Sequence, residues 1–287
     1  MISIIICTFN RSKALERVLS QLCGQINGNR GLEMIVVDNN SQDDTRNTVE
    51  WLSHRSPLRY ILEKRQGKPF ALNRAVKETN GEWLVFTDDD VRLSDNWLSM
   101  INTIVREDQY RCFFGKILPD WNGAMPTWFD PKMGSVIVQA DHGNEALHHK
   151  SYLVGANMGV HRSIFDKYGL FNEKISRFED AEFSMRINKK EDIVYDPRPV
   201  VYHPIVENRL TKKYFLNWYR EMGAIIDSRL MNEEKRKSFG VPRWAYRKYV
   251  SNMLRSLFSL DQRNKFYHQL QVERMKAAIK ALREQSK

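Results

Sequence analysis

The stretch EWLVFTDDDV, residues 82–91, runs from an apolar segment straight into three acids, Asp88, Asp89 and Asp90. Aromatic and β-branched residues in a short apolar run predict a buried strand, and the abrupt acids mark its carboxyl end. The same rhythm precedes it. ISIIICTF (2–9) stops at the polar NRS, EMIVVD (33–38) stops at NNS, and RYILE (59–63) reads as a third strand. Between these runs stand KALERVLSQLCGQI, with Ser12 as its expected N-cap, then SQDDTRNTVEWLS, then PFALNRAVKET with Pro69 in its first turn, all read as helices. Strand and helix therefore alternate four times within about 90 residues, which predicts an α/β, Rossmann-like fold with a mostly parallel sheet flanked by helices. In open sheets of this kind ligands bind beyond the carboxyl ends of the strands. The clusters TFNR, DNNS and TDDD are thus expected to converge on one crevice.

Beyond this core the reading is a helix at 96–105, a strand at 111–118 and a long, partly irregular excursion over 119–150, rich in Pro, Gly, Trp and His. Strand character returns at 151–160, short helices at 162–169 and 179–190, and one or two short strands at 192–204; from about residue 210 the pattern is helical. Charge changes at the same place. Residues 205–287 hold 19 Lys and Arg against 8 Asp and Glu, and residues 1–204 hold 26 against 27. These shifts suggest a ligand-binding, catalytic domain over 1–205 and a basic helical extension over 206–287.

Cys7, Cys23 and Cys112 show no CxxC or Cys/His spacing, so neither a disulfide framework nor a zinc site is indicated. MISIIICTF lacks a basic stretch ahead of a cleavable apolar segment, and no run approaches the roughly 18–20 apolar residues of a spanning helix. The expectation is a cytoplasmic protein. The basic C-terminal part accompanies no recognised nucleic-acid module, so no nucleic-acid partner is expected.

In an extended segment alternate side chains share a face, so Asp88 and Asp90 are expected to point together and Asp89 away. Two carboxylates on one face suit Mg2+ or Mn2+ that also hold phosphate oxygens. Asp38 at a strand's ligand edge can accept from a ribose hydroxyl or a base N–H, or serve as a turn acid. Glu179 and Asp180 in RFEDAEF fit either a helix first turn favoured by the macrodipole or a catalytic pair.

SIIICTFNR, EMIVVDNNSQDDT, GKPFALNRAVKETNGEWLVFTDDDV and GANMGVHRSIFDKYGLFNEKISRFEDAEFSMRI occur in that order over roughly residues 2–204. Together they resemble the successive blocks of the family 2 glycosyltransferases, inverting enzymes of the GT-A fold. The resemblance implies that Thr8, Asn10 and Arg11 form the first nucleotide-contacting turn and that Asp38 binds the base. It places Lys68 and Asn73 near the donor diphosphate, Asp88 as the first acid of an Asp-x-Asp motif, Asp89 facing the ribose and Asp90 on a metal ion. Glu179 and Asp180 match the acidic pair, with Asp180 the catalytic base, and His203 falls where a metal or phosphate contact occurs. Mg2+ or Mn2+ is the implied cofactor. The donor is a nucleotide-diphosphate sugar, UDP-linked by default, and the acceptor a hydroxyl of a glycan or lipid-linked sugar.

Two other readings fit less of the chain: a non-catalytic nucleotide- or carbohydrate-binding module on the same fold, and a sugar nucleotidyltransferase. The latter expects a glycine-rich, basic phosphate loop after the first strand, where TFNRSKA stands. Trp121, Met125, Trp128 and Phe129 either wall an acceptor site or anchor the excursion. In RWAYRKYVSNMLRSLFSL (243–260) an aromatic and aliphatic stripe flanked by Arg247, Lys248 and Arg255 predicts either packing on the domain or peripheral contact with an anionic membrane at its cytoplasmic face.

Overall fold

A computed structural model describes the chain except for residues 27–30, 55, 122, 124, 150, 151, 189, 235, 236, 286 and 287. Its first half follows the predicted alternation: β1 (Ile2–Thr8), α1 (Ser12–Gln25), β2 (Leu32–Asp38), α2 (Thr45–Ser53), β3 (Leu58–Leu62), α3 (Lys68–Glu78) and β4 (Trp83–Asp88). Ile4, Ile5 and Ile6 of β1 are buried on both faces, as a parallel strand covered by helices must be. One cover is α1, whose buried Leu15, Val18, Leu19 and Leu22 recur at helical spacing.

The remaining elements of this sheet are β5 (Arg92–Leu93), β6 (Cys112–Asp120), β7 (Leu147–His149), β8 (Asn157–His161) and β9 (Ile193–Pro204), with α4 (Trp97–Glu107), α5 (Arg162–Tyr168) and α6 (Glu179–Ile187) between them. Among the described residues nine strands form the sheet in the order β3-β2-β1-β4-β8-β6-β9-β5, with β7 also on β9. β3, β2, β1 and β4 are parallel neighbours; β8 runs antiparallel to both β4 and β6, and β9 is parallel to β6. The carboxyl ends of β1, β2, β4 and β9 therefore lie at one edge of the sheet.

Three local expectations change. Arg11, not Ser12, occupies the N-cap position of α1; Ser12 begins the helix and its N–H donates to Asp43 Oδ2 at 2.8 Å, so an acid from the neighbouring loop caps it. Of the strand expected at 151–160, residue 151 lies outside the described residues, and among the rest the strand is confined to Asn157–His161. The segment at 192–204 is one strand of 12 residues, with a register shift opposite Gly115/Lys116 where Pro197 and Pro199 cannot donate to a ladder. The buried Asn157 amide satisfies that irregularity: Nδ2 donates to the carbonyls of Lys116 and Pro199, and Oδ1 accepts from Trp97 Nε1.

Residues 1–120 and 138–204 form one compact unit; residues 121–137 and 205–287 form the second. Part of the excursion thus packs with the C-terminal helices. In that second unit Trp128 sets its ring edge against Phe215 and Phe266, and Phe129 is buried beside Phe215. The long α10 (Gln262–Gln285) packs against α7 (Lys212–Met222), α8 (Ser228–Glu233) and α9 (Arg243–Phe258). α7 runs into α8 through a π-helical turn, Gly223–Asp227, where a Cβ on Gly223 would stand 2.1 Å from the Arg274 carbonyl oxygen. Among the described residues no helix is long and apolar enough to cross a membrane.

Candidate active site

Strand register brings the first residues together. Thr8 lies beside Asp38 and Cys7 beside Asp88, so the ends of β1, β2 and β4 present one row. The chain leaves β1 and β2 through Asn10 and Asn40, both with positive φ (54° and 68°), a conformation that asparagine tolerates better than most residues. Asn10 ties the two loops: its N–H donates to Ser41 Oγ at 2.8 Å, and its Oδ1 accepts from the Gln42 N–H at 2.7 Å. Asp38 is buried, its Oδ1 accepting from the Ser41 N–H and its Oδ2 from the Tyr60 hydroxyl at 2.7 Å. Burial, reinforced by that carboxylate, pushes the Tyr60 phenol up, so it stays a donor. A carboxylate has about four lone-pair sites, so Asp38 keeps accepting capacity for a ligand.

The acid run divides differently from a simple strand alternation. β4 ends at Asp88, and Asp89 and Asp90 lie in a turn. Arg11 Nη1 bridges these two, 2.9 Å from Asp89 Oδ1 and 2.6 Å from Asp90 Oδ2; Thr8 Oγ1 donates to Asp89 Oδ2 at 2.7 Å. Lys68 Nζ holds Asp88 Oδ1 at 3.0 Å. Burial pushes the Asp88 carboxyl up, but Lys68, His203 and Arg11 together bring it below its ordinary value. For Asp89 burial prevails over Arg11 and Thr8, and the carboxyl is raised.

Asp88, Asp90 and His203 each offer one ligand atom within 4.8 Å of the others. His203 arrives from β9; its Nδ1 lies 3.1 Å from the Pro204 carbonyl oxygen, so Nδ1 is the donor of that pair and Nε2 is the ring nitrogen left toward the acids. That Nε2 stands 3.9 Å from Asp90 Oδ1. Asp90 Oδ1 is buried and has no hydrogen-bond partner among the described residues. An orphaned carboxylate oxygen costs about 1–3 kcal/mol or more, and a divalent cation is the group that would satisfy it. The donor set therefore fits a divalent ion, with two hard carboxylates and one imidazole.

Lys68 opens α3 just after Gly67, whose φ of 131° is open to glycine. Its ammonium also faces Glu179 Oε1 at 3.7 Å. Loss of hydration opposes its charge, but Asp88 and Glu179 more than compensate, and the amine is held well above the ordinary lysine value. Glu179 and Asp180 begin α6 behind Phe178, which sits at φ 64°, a conformation costing a bulky residue roughly 1–3 kcal/mol. Asp180 Oδ2 accepts from the Gly155 N–H at 3.0 Å. Burial raises both carboxyls of the pair, Lys68 pulling against it in each and the Gly155 N–H in Asp180.

Ion pairs and hydrogen bonds thus join Thr8, Arg11, Asp89 and Asp90 in one group and Lys68, Asp88 and Glu179 in another, with His203 near Asp88 and Asp90 and with Asn10 and Asp38 adjoining. Asn73 does different work: its buried amide donates to the Phe171 carbonyl and Glu173 Oε1 and accepts from the Phe171 N–H, clamping α3 to the loop after α5. Sequence reasoning missed Tyr60 and the Gly155 N–H. Tyr60 carries no motif; only the β2–β3 register, which sets Asp38 beside Leu62, puts its hydroxyl on Asp38.

The family model described as Glycosyl transferase family 2 matches residues 3–169. The GalNAc(5)-diNAcBac-PP-undecaprenol beta-1,3-glucosyltransferase of Campylobacter jejuni is 27% identical over 244 residues, covering 83% of this chain and 76% of that protein. S. aureus TarS 1-349 in complex with UDP-GlcNAc shares the fold at a TM-score of 0.60 and 19% identity, over 99% of this chain and 80% of that one. The mannosyltransferase PcManGT from Pyrobaculum calidifontis, in complex with GDP-Man and Mn2+, does so at 0.62 and 15%, over 99% and 87%.

Proposed function

The chain belongs to glycosyl transferase family 2, and on that premise we propose that it is an inverting, divalent-metal-dependent glycosyltransferase with a UDP-sugar donor and a glycan or lipid-linked hydroxyl acceptor. The family and the GT-A fold establish a glycosyltransferase acting on nucleotide sugars. The observation that carries the finer reading is the Asp88, Asp90 and His203 cluster with its orphaned Asp90 oxygen, next to an acid pair whose basicity is raised.

Asp88, Asp90 and His203 would hold the ion, which when bound supplies positive charge to the diphosphate as it departs. Arg11 and Lys68 add two cations at the same edge, free to turn from carboxylates to phosphate oxygens. Asp38 and the Asn10 turn receive the nucleoside. Asp180 takes the proton from the acceptor hydroxyl as that oxygen attacks the anomeric carbon, and the bond to the β-phosphate oxygen breaks with its electron pair leaving on the diphosphate. One displacement inverts the anomeric centre, and no enzyme nucleophile takes part. The imidazole ligand favours Mn2+ over the harder Mg2+. The lipid-linked acceptor is supported by the name of the Campylobacter relative, a PP-undecaprenol glucosyltransferase; a peripheral position on the cytoplasmic face of a membrane is a further part of the proposal.

Thermal melting with UDP, GDP, dTDP and CDP, with and without Mn2+, tests this. UDP with Mn2+ is expected to raise the melting temperature most, because a ligand at 100 times its Kd adds about 2.7 kcal/mol to the native state. Stabilisation by no diphosphate in the presence of metal refutes the reading.

A further inference from the structure

Helix α9 has two unlike sides. At about 100° per residue, Ala245, Tyr246, Tyr249 and Asn252 fall on one arc, and that arc packs: Ala245 is buried with Met275, Ala278 and Leu282, Tyr246 and Tyr249 lie against the same cluster, and Asn252 is buried. The opposite arc carries Val250, Leu254, Leu257 and Phe258, whose exposure climbs from 44% through 46% and 65% to 79%; Leu260 beyond the helix end is wholly exposed. Arg243 and Arg247 interleave with these residues and Arg255 flanks them, all three exposed, while Lys248 lies toward the packed side; residues 243–260 contain no Asp or Glu. Tyr246, Val250, Ser251 and Leu254 line a shallow cleft of about 620 Å³ bounded by Arg247 and Arg255.

Charge selects the occupant. A second copy docking through this face about a two-fold axis would set three arginines against three like charges. An anionic bilayer matches both components, since acyl chains accept the apolar side chains while lipid phosphates pair with guanidinium groups in two-point contacts. We propose that the outer face of α9 is a membrane-docking surface, lying in the plane of an anionic bilayer with Leu254, Leu257 and Phe258 at the headgroup–acyl boundary and Arg247 and Arg255 on lipid phosphates. The proposal deepens the peripheral-membrane part of the functional reading and rests on that part alone, not on the sugar chemistry.

The test is co-sedimentation of the full chain with sucrose-loaded vesicles of phosphatidylcholine, alone or mixed with phosphatidylglycerol. The wild type is expected to bind the mixed vesicles at low salt and to lose binding as salt rises. R247Q/R255Q should bind about 30-fold more weakly, about fivefold for each cation near an anionic surface. L254E/L257E should not bind. Circular dichroism and melting of both variants should match the wild type, because all four side chains are exposed. Absence of wild-type binding to the mixed vesicles, or equal binding by all three proteins, overturns the proposal. So does a wild-type dimer in sedimentation equilibrium that L254E/L257E dissolves while vesicle binding is absent. The diphosphate-induced melting shift, measured in parallel, separates the two readings: lost vesicle binding with an intact shift sinks this proposal alone, and the reverse sinks the donor reading alone.

Discussion

Replacing Lys68 by Met should move the acidic limb of the pH profile of kcat/KM upward by about one unit. Lys68 Nζ and Asp180 Oδ2 each lie 3.6 Å from the point where a Cβ on Gly155 would stand, so they are no more than about 7 Å apart. The Lys68 side chain is 42% exposed, so an effective dielectric constant near ~40, between the ~20 of a protein surface and the ~80 of water, is used; the attraction is then about 1.2 kcal/mol, or about 0.9 pH unit. The sign follows from the base's role. As the proposed base Asp180 works deprotonated; its carboxyl is already raised by burial, and Lys68 opposes that rise. Without the ammonium the carboxyl climbs further, and activity is lost at a higher pH as the solution is acidified. The profile of kcat/KM reports the free enzyme, the state described here. The assay is release of nucleoside diphosphate from the donor at fixed low substrate, from acid to neutral pH. The absolute rate will also fall if Lys68 has its proposed role of neutralising phosphate charge, so the position of the limb is the reading. A limb that stays in place or moves to lower pH would refute the coupling of Lys68 to Asp180.

Other substitutions address separate parts of the site and its frame. Asp180→Asn keeps the shape and removes the base, so transfer should fall by about 10²–10⁴-fold while the diphosphate-induced melting shift survives; retained transfer would assign the base elsewhere. Asp90→Ala removes the orphaned oxygen and should abolish the additional stabilisation that Mn2+ gives to UDP, read by melting with and without chelator. Far from the chemistry, Asn157→Ala strips partners from the Trp97 indole N–H and the carbonyls of Lys116 and Pro199, and should cost about 3 kcal/mol in chemical denaturation. A change under about 0.5 kcal/mol would mean that water replaces the amide.

The βα rhythm and the gathering of polar clusters at strand ends were readable because period, strand composition and helix signals are local. ISIIICTF, EMIVVD and EWLVFTDDD each carry enough apolar residues to specify a buried strand, and the parallel connection rules then place their ends at one edge. The division of labour within the acid run was not readable in this way. Extended alternation pairs Asp88 with Asp90 and turns Asp89 aside, and these two acids do converge with His203. Yet β4 stops at Asp88, and Arg11, 78 residues before Asp89 and 79 before Asp90, bridges the other two. Asn73 illustrates the same limit from the other side: its block resembles a diphosphate segment, while its amide is committed to Phe171, 98 residues downstream.

By itself, then, the sequence determined the fold class, the family and the residue types available at the edge of the sheet, since each depends on short-range pattern and on blocks in fixed order. Tertiary structure decided which of those residues meet. Register set Tyr60 on Asp38, the turn after β4 gave Arg11 two carboxylates, and β9 delivered His203 to Asp90. It also divided the stripe of α9 between a packed arc and an exposed one. The physical reason is common to all four: helical and strand periods fix the direction of a side chain relative to its own element, but its partner is fixed by how separate elements pair and pack.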